Sequence, residues 1–147
     1  MSKKSGQRVD YTHIRYAPVV NCVVEHDSEI LLLKRSKEVR FYPGLWNGVS
    51  GFLDDHKSVK EKAQEEVRQE LGVTIETDHV DTDHVFSVEA PEYEKTWILH
   101  PAHVLLRERA LKLDREADEC LWVPPRDALS YELVPGFDRV IRIFFNI

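Results

Sequence analysis

The sequence predicts a single α/β or α+β domain built around a mixed β-sheet, and three observations carry this prediction. Two runs rich in β-branched residues, 19–24 and 30–33, flank a turn-like tripeptide at 26–28, which indicates a β-hairpin with largely buried strands. Residues 58–71 show apolar side chains at helical spacing. The remaining segments mix strands and helices without the regular alternation of a doubly wound sheet, which favours a mixed sheet packed against helices.

Each further element follows from local signals. Ser58 and Glu61 form an S-x-x-E capping box at the start of the helix, and Gly72 supplies the glycine that commonly follows a helix end. The segment 49–55 (VSGFLDD) is predicted as a short strand that carries a glycine. Alternation and apolar runs predict further strands at 73–77, 84–88, 96–106 and 119–123, and short helices at 125–130 and 136–145.

Length and charge restrict the class of protein. The chain has 147 residues, 42% of them hydrophobic, which suits one domain with one core. Its 26 acidic and 20 basic residues give a net charge of −6, which argues against general binding to nucleic-acid polymers. No apolar run approaches the ~20 residues of a membrane span. We therefore expect a cytoplasmic protein with no membrane partner, a flexible N-terminus at 1–8 and one domain at 9–147.

The helix at 58–71 places two carboxylates at the edge of its buried face. Its apolar stripe, at about 100° per residue, consists of Val59, Ala63, Val67 and Leu71. Glu66 and Glu70 border this stripe, whereas Glu61, Lys62 and Arg68 are assigned to a solvated face. Carboxylates beside a core need a partner, and i,i+4 spacing puts these two side by side. A divalent cation would serve both, and pairing with Lys or Arg from elsewhere is the alternative.

The stretch Gly51–Val73, GFLDDHKSVKEKAQEEVRQELGV, resembles a degenerate Nudix box. The family pattern is G-x5-E-x7-R-E-U-x-E-E-x-G-U, where U is a bulky aliphatic residue. The matching positions are Gly51, Glu66, Val67, Glu70, Gly72 and Val73. Lys57 replaces the first Glu, Glu65 replaces the Arg, and Gln69 replaces the first Glu of the final pair. The flanking segments LLLKRS, PGLWNGVSG and ECLWVPPRDAL extend the resemblance over roughly residues 16–145.

The resemblance implies an α/β/α sandwich with a mixed β-sheet. It also implies a hydrolase of a nucleoside diphosphate linked to another moiety, with Mg²⁺ (or Mn²⁺) as cofactor and a small-molecule diphosphate as substrate. Carried over by position, Glu66 and Glu70 are catalytic and hold the metal, Gly51 offers a backbone carbonyl, and Gln69 stands where another carboxylate ligand is expected. A homodimer is a further hypothesis, by analogy with similar proteins.

The departures from the pattern leave alternatives open. Lys57 and Glu65 exchange the signs of the family's Glu and Arg, so we expect a reversed ion pair that braces the loop to the helix. In the competing interpretation Glu65 replaces the ligand charge missing at Gln69, although its angle on the helix argues against this. The loss of acid at 69 also admits a module that binds a nucleotide or sugar nucleotide without turnover. An isomerase of prenyl diphosphates is disfavoured, because PGLWNGVSG lacks a cysteine.

Several side chains outside the box are candidates for substrate binding. Arg35 follows the second hairpin strand and is expected to contact a substrate phosphate. Trp46 is a candidate for stacking on a base or sugar, but a core or lid-packing role is favoured. Glu92, in the acidic loop 89–95, is a candidate for the general base or a further ligand. Weaker candidates of the same kinds are Arg40, Tyr42, Glu89 and Glu94.

Overall fold

The structure is a computed structural model that describes residues 8–147. These residues form one eight-stranded sheet with helices packed on both faces. The strands are β1 (Tyr16–His26), β2 (Glu29–Arg35), β3 (Trp46–Asn47), β4 (Val49–Phe52), β5 (Val80–Thr82), β6 (Phe86–Ala90), β7 (Lys95–Leu105) and β8 (Ala117–Val123). The helices are α1 (Val59–Leu71), α2 (Pro125–Ala128) and α3 (Phe137–Phe145). The predicted mixed-sheet α+β fold is confirmed; apart from Arg8, the expected flexible N-terminus at 1–8 lies outside the described residues.

The strand β1 lies at the centre of the sheet and makes it mixed. It runs parallel to β7, with partners from Tyr16↔Thr96 to Glu25↔Leu105, and antiparallel to β2 and β4. β8 pairs antiparallel with β2 on the other side. The predicted hairpin is present, and its turn residues Asp27 and Ser28 both adopt positive φ, as a two-residue hairpin turn requires.

Alternate residues of β1 enter two different cores. Val20, Cys22 and Val24 pack with α1 on one face of the sheet. Val23 packs with α3 on the opposite face, where a larger aromatic cluster lies. Because successive strand side chains point to opposite faces, a strand buried on both sides is apolar throughout, as the β1 sequence is. The two cores define the α/β/α layers.

The helix α1 has the predicted ends but not the predicted polar face. Ser58 Oγ accepts from the Glu61 backbone N–H at 3.1 Å, and the Ser58 N–H donates to Glu61 Oε1 at 2.9 Å. Gly72 ends the helix with φ of 70°. The assignment of Lys62 to a solvated face is wrong, since its side chain is 0% exposed. It is buried because three carboxylates surround its ammonium group, which a helical wheel of one segment does not show.

The strand predicted at 73–77 is absent. This segment lies beside the end of α1, where Ile75 is buried in the core and its carbonyl accepts from Gln64 Nε2 at 2.7 Å. A side chain of the helix thus replaces a neighbouring strand as hydrogen-bond partner, and a short 3₁₀ turn, Thr77–His79, follows. The three-residue strand β5 pairs with β7 instead.

Among residues 8–147, the helices lack the length and apolar character that a membrane span requires.

Candidate active site

A cleft of about 600 Å³ opens between β1, β4, α1 and the loops around residues 36–45 and 114–116. One wall is formed by oxygen-bearing side chains, namely Glu66, Gln69, Glu70, Asp114 and Glu116. Another part of the lining is apolar and largely aromatic, and is formed by Phe41, Phe52, Trp97 and Leu99. Arg35 and Arg40 also line the cleft. The cleft therefore combines an anionic side, an aromatic side and two arginines.

Gly51 allows the carboxylate of Glu66 to lie directly against strand β4. A Cβ atom added to Gly51 would lie 2.3 Å from Cδ of Glu66 and 2.5 Å from its Oε2. No side chain can occupy that space without displacing the carboxylate. The glycine of the box is therefore required here for close approach, as the strand position of Gly51 opposite Val20 is otherwise ordinary.

Glu70 is a carboxyl group whose surroundings oppose its ionisation. It is buried, and its Oε2 finds no hydrogen-bond partner among residues 8–147. Burial and then the neighbouring charge of Glu66 raise the pKa of Glu70 well above its usual range. Burial also raises the pKa of Glu66, to about 7, while a side-chain contact with Glu70 and then the ammonium of Lys62 act in the opposite direction. Two adjacent carboxyl groups of this kind cannot both carry charge at low cost unless a cation joins them.

The cleft has the donor chemistry for a hard divalent cation. Within residues 8–147 no group of three His, Cys, Asp or Glu side chains is arranged to hold a metal ion. Glu66 and Glu70 supply two carboxylates, and the unpartnered Oε2 of Glu70 is an open acceptor. Gln69, on the same wall, supplies a neutral oxygen. Mg²⁺ and Mn²⁺ favour such oxygen ligands and are commonly held by few side chains, so these residues fit either ion.

Four acidic residues that line the cleft were not predicted from the sequence, namely Glu38, Asp54, Asp114 and Glu116. Asp114 and Glu116 lie in the loop before β8 and face the cleft beside Glu70. Backbone hydrogen bonds hold this loop, from Asp114 N–H to the Glu70 carbonyl at 3.2 Å and from Ser36 N–H to the Glu116 carbonyl at 2.8 Å. The segment has no periodicity and looks like a solvated loop. Pairing the ECLWV strand with the LLLKR strand would have brought its start next to Arg35, and hence to the cleft.

The arginines predicted near the cleft are there. The Arg35 Nε donates to the Phe41 carbonyl at 2.8 Å, which ties the loop 36–45 back to β2. The Arg40 guanidinium lies 4.8 Å from the Phe41 ring centre. Tyr42 also lines the cleft, and its hydroxyl accepts from Trp97 Nε1 at 2.9 Å. Within the described part of the chain, the terminal guanidinium nitrogens of both arginines make no hydrogen bond and could donate to an anion.

Trp46 and Glu92 do not lie on the cleft wall. Trp46 packs edge-on against Tyr131, with ring centres 5.6 Å apart, and the Lys34 ammonium lies over its ring. This is the packing role that the sequence analysis favoured for Trp46. Glu92 is exposed in the 3₁₀ turn Pro91–Tyr93, and the neighbouring candidates Glu89 and Glu94 are also outside the cleft lining. The structure does not bring this acidic loop to Glu66 and Glu70.

The reversed ion pair is present but is part of a larger cluster. Lys57 Nζ lies 3.6 Å from Glu65 Oε2 and 3.2 Å from Asp55 Oδ2. Glu65 also accepts from the buried Lys62 ammonium at 2.7 Å. Because these cations occupy its carboxylate and it does not line the cleft, Glu65 does not replace the missing ligand charge of Gln69.

Comparison with known proteins identifies similar sequences and similar folds. The model of the NUDIX domain matches residues 15–144. A curated relative, the nucleoside triphosphatase NudI of Escherichia coli, is 22% identical over 88% of this chain and 97% of its own length. Among solved structures, the MutT protein of Methanosarcina mazei superposes with a TM-score of 0.72 at 25% identity, covering 91% of this chain and 95% of that one. The NUDIX domain of Shewanella oneidensis NrtR, complexed with ADP ribose, superposes with a TM-score of 0.69 at 17% identity, covering 85% and 83%.

The match to the family model spans nearly the whole chain. This chain therefore belongs to the Nudix family, and it is a hydrolase of the class that acts on diphosphate bonds.

Proposed function

We propose that this chain is a Mg²⁺- or Mn²⁺-dependent hydrolase of a nucleoside diphosphate linked to another moiety. The observation that carries the proposal is the Glu66–Glu70 pair: both residues line the cleft, and the buried Oε2 of Glu70 has no hydrogen-bond partner among residues 8–147. A bound cation would relieve the repulsion between the two groups. It would also reverse the local sign of the potential, so that a protein of net charge −6 could accept an anionic substrate.

In the proposed hydrolysis, the acidic residues and the arginines of the cleft have different roles. Glu66 and Glu70, with Gln69 beside them, would hold the ion, which supplies neutralisation of phosphate charge and a lowered pKa of water. Arg35 and Arg40 would donate to the phosphate oxygens. Water attacks phosphorus, the bond from phosphorus to the bridging oxygen breaks, and an acidic side chain accepts the proton of the water.

Two groups are available to complete this arrangement. Glu116 stands at the rim of the acidic wall and is a candidate for the proton acceptor, alongside Glu66. The apolar wall of Phe41, Phe52 and Trp97 offers ring faces and edges on which a nucleoside can pack. A nucleotide ligand also agrees with the relatives, of which one is named a nucleoside triphosphatase and another was solved with ADP ribose.

The proposal is tested by turnover with a matched pair of variants. The protein is incubated with Mg²⁺ or Mn²⁺ and a panel of nucleoside triphosphates, ADP-ribose, dinucleoside polyphosphates and sugar nucleotides. We expect hydrolysis of at least one of these, abolished by chelation and reduced about 100-fold or more by Glu70→Gln. Glu76→Gln, an exposed glutamate beyond the end of α1, should retain the wild-type rate.

One observation favours a second candidate, a module that binds a nucleotide or sugar nucleotide without turnover. Gln69 puts a neutral amide on the cleft wall where the family pattern has a carboxylate, so the site has less negative charge with which to hold a cation. Saturable binding of one ligand of the panel, without product in either metal, would support the module and contradict the hydrolase.

A further inference from the structure

A compact cluster of charges lies at the junction between α1 and the loop 51–57. Its acidic members are Asp54, Asp55 and Glu65, and its basic members are Arg8, Lys57 and Lys62. The acidic side chains are largely buried, with exposed fractions of 16%, 3% and 10%. Their charges must therefore be compensated by close cations.

Lys62 is the cation at the centre of this cluster. Its Nζ donates to Asp54 Oδ1 at 3.1 Å, Asp55 Oδ2 at 3.1 Å and Glu65 Oε1 at 2.7 Å. An ammonium group has three N–H donors, so each is used on a different carboxylate. Lys62 is fully buried, whereas the side chains of Lys57 and Arg8 are 34% and 49% exposed. Exposed cations of that kind contribute far less than a buried, fully bonded one.

The bonds of Lys62 join the two segments that carry the candidate metal site. Gly51 lies in β4, Asp54 and Asp55 follow in the loop, and Glu65 precedes Glu66 in α1. Lys62 is also one turn before Glu66 on the helix, and both side chains contact the segment 51–57. The Glu66 carboxylate occupies the space beside Gly51, since a Cβ added there would lie 2.3 Å from Glu66 Cδ.

We propose that Lys62 is a positioning residue, which ties the loop 51–57 to α1 and thereby holds the Glu66 carboxylate against Gly51. In the family pattern the first Glu and the Arg carry opposite charges, and their places are taken here by Lys57 and Glu65. Lys62 stands at a position that the pattern leaves unspecified, and it turns the exchanged pair into a three-carboxylate cluster around one buried ammonium. The proposal rests on the proposed function, since Glu66 is taken there to hold the cation.

The test compares removal of the buried cation with removal of an exposed cation of the same cluster. Lys62→Met leaves three carboxylates without their main partner and is expected to destabilise strongly. A second variant, Lys62→Met with Asp55→Asn and Glu65→Gln, removes the uncompensated charge so that the fold is retained. Lys57→Met is the matched control. Each protein is measured for hydrogen exchange of residues 51–57 without metal, for Mn²⁺ affinity, for kcat and KM, and for thermal unfolding.

For the neutralised triple variant we expect faster exchange in residues 51–57, Mn²⁺ affinity and kcat lowered about tenfold or more, and a smaller change in KM. Lys57→Met should change Mn²⁺ affinity and kcat by less than about twofold. Wild-type exchange, Mn²⁺ affinity and kcat in the triple variant, with only a lower Tm, would overturn the proposal. Should the wild-type protein neither bind Mn²⁺ nor hydrolyse any substrate, the proposed function fails, and the exchange of residues 51–57 then decides the role of Lys62 alone.

Discussion

At the scale of single residues, the two glycines Gly51 and Gly72 are required for different physical reasons. Gly51 is the clearest case, because the absence of a side chain is what its neighbour Glu66 requires. Gly72 is a glycine for a different reason, since its φ of 70° is a conformation that other residues adopt at a cost. Gly51 is thus required by the candidate site, and Gly72 is required by the end of the helix.

This difference predicts opposite effects for two alanine substitutions. Gly51→Ala should lower Mn²⁺ affinity and kcat about tenfold or more, because the methyl group displaces the Glu66 carboxylate. Gly72→Ala should instead lower the free energy of unfolding by about 1 kcal/mol and leave kcat near wild type. Urea denaturation and steady-state kinetics on both variants check the pair. Equal loss of activity in the two would contradict the distinction.

Replacing Gln69 with a glutamate tests whether the negative charge of the cleft limits its affinity for a cation. Gln69→Glu adds a carboxylate to the cleft wall, next to Glu70 in the sequence. We expect Mn²⁺ to bind about tenfold more tightly, because affinity for hard cations rises with the number of charged ligands. Isothermal titration with Mn²⁺ measures this change. Unchanged affinity would show that position 69 does not contact the ion.

At the scale of elements, α1 presents the candidate ligands because both of its ends are specified locally. The capping box aligns the first turn, and Gly72 stops the helix two residues after Glu70. Capping is a property of a few consecutive residues, which is why the sequence predicted this helix almost to the residue. The segment 73–77 shows the reverse case, since its alternating pattern predicts a strand but Gln64 takes the hydrogen bond that a strand neighbour would have made.

The capping box can be tested without touching the cleft. Ser58→Ala removes the side-chain acceptor for the Glu61 N–H and should lower the free energy of unfolding by about 1 kcal/mol. The kcat at a temperature where the variant is folded should stay near wild type. Ser87→Ala, at an exposed position of β6, is the control and should change stability by less than about 0.5 kcal/mol. A Ser58→Ala variant as stable as the control would mean that the box contributes nothing.

At the scale of the whole molecule, two neighbouring groups of carboxylates differ in how their charge is compensated. Around Lys62 the carboxylates are compensated by buried and exposed cations. In the cleft, the Oε2 of Glu70 has no hydrogen-bond partner among residues 8–147. The pKa values follow this division. Burial opposes the ionisation of Asp55, but hydrogen bonds from the Lys57 N–H and from the Lys62 and Lys57 ammonium groups outweigh it and lower its pKa well below the usual range.

The depressed pKa of Asp55 predicts a loss of stability in acid. A carboxylate with a lowered folded-state pKa contributes stability above its unfolded pKa, 3.8, and loses it as the pH falls toward the folded value. The stability difference between wild type and Asp55→Asn should therefore shrink between about pH 7 and about pH 2.5. Urea titrations of the metal-free proteins measure it. Asp78→Asn, an exposed control, should differ from wild type by the same amount throughout, and a constant difference for Asp55→Asn would contradict the prediction.

The sequence by itself determined the features that depend on neighbours along the chain: the hairpin, the capped helix, and the place of Glu66 and Glu70 at the edge of its buried face. Each of these follows from a period or a turn within a few residues. Only the tertiary structure decided which further residues join them. It brings Asp114 and Glu116 to the cleft through the pairing of β8 with β2, leaves Glu92 and Trp46 outside it, and buries Lys62 among three carboxylates. These outcomes depend on contacts between segments distant in the chain, and local patterns carry no record of such contacts.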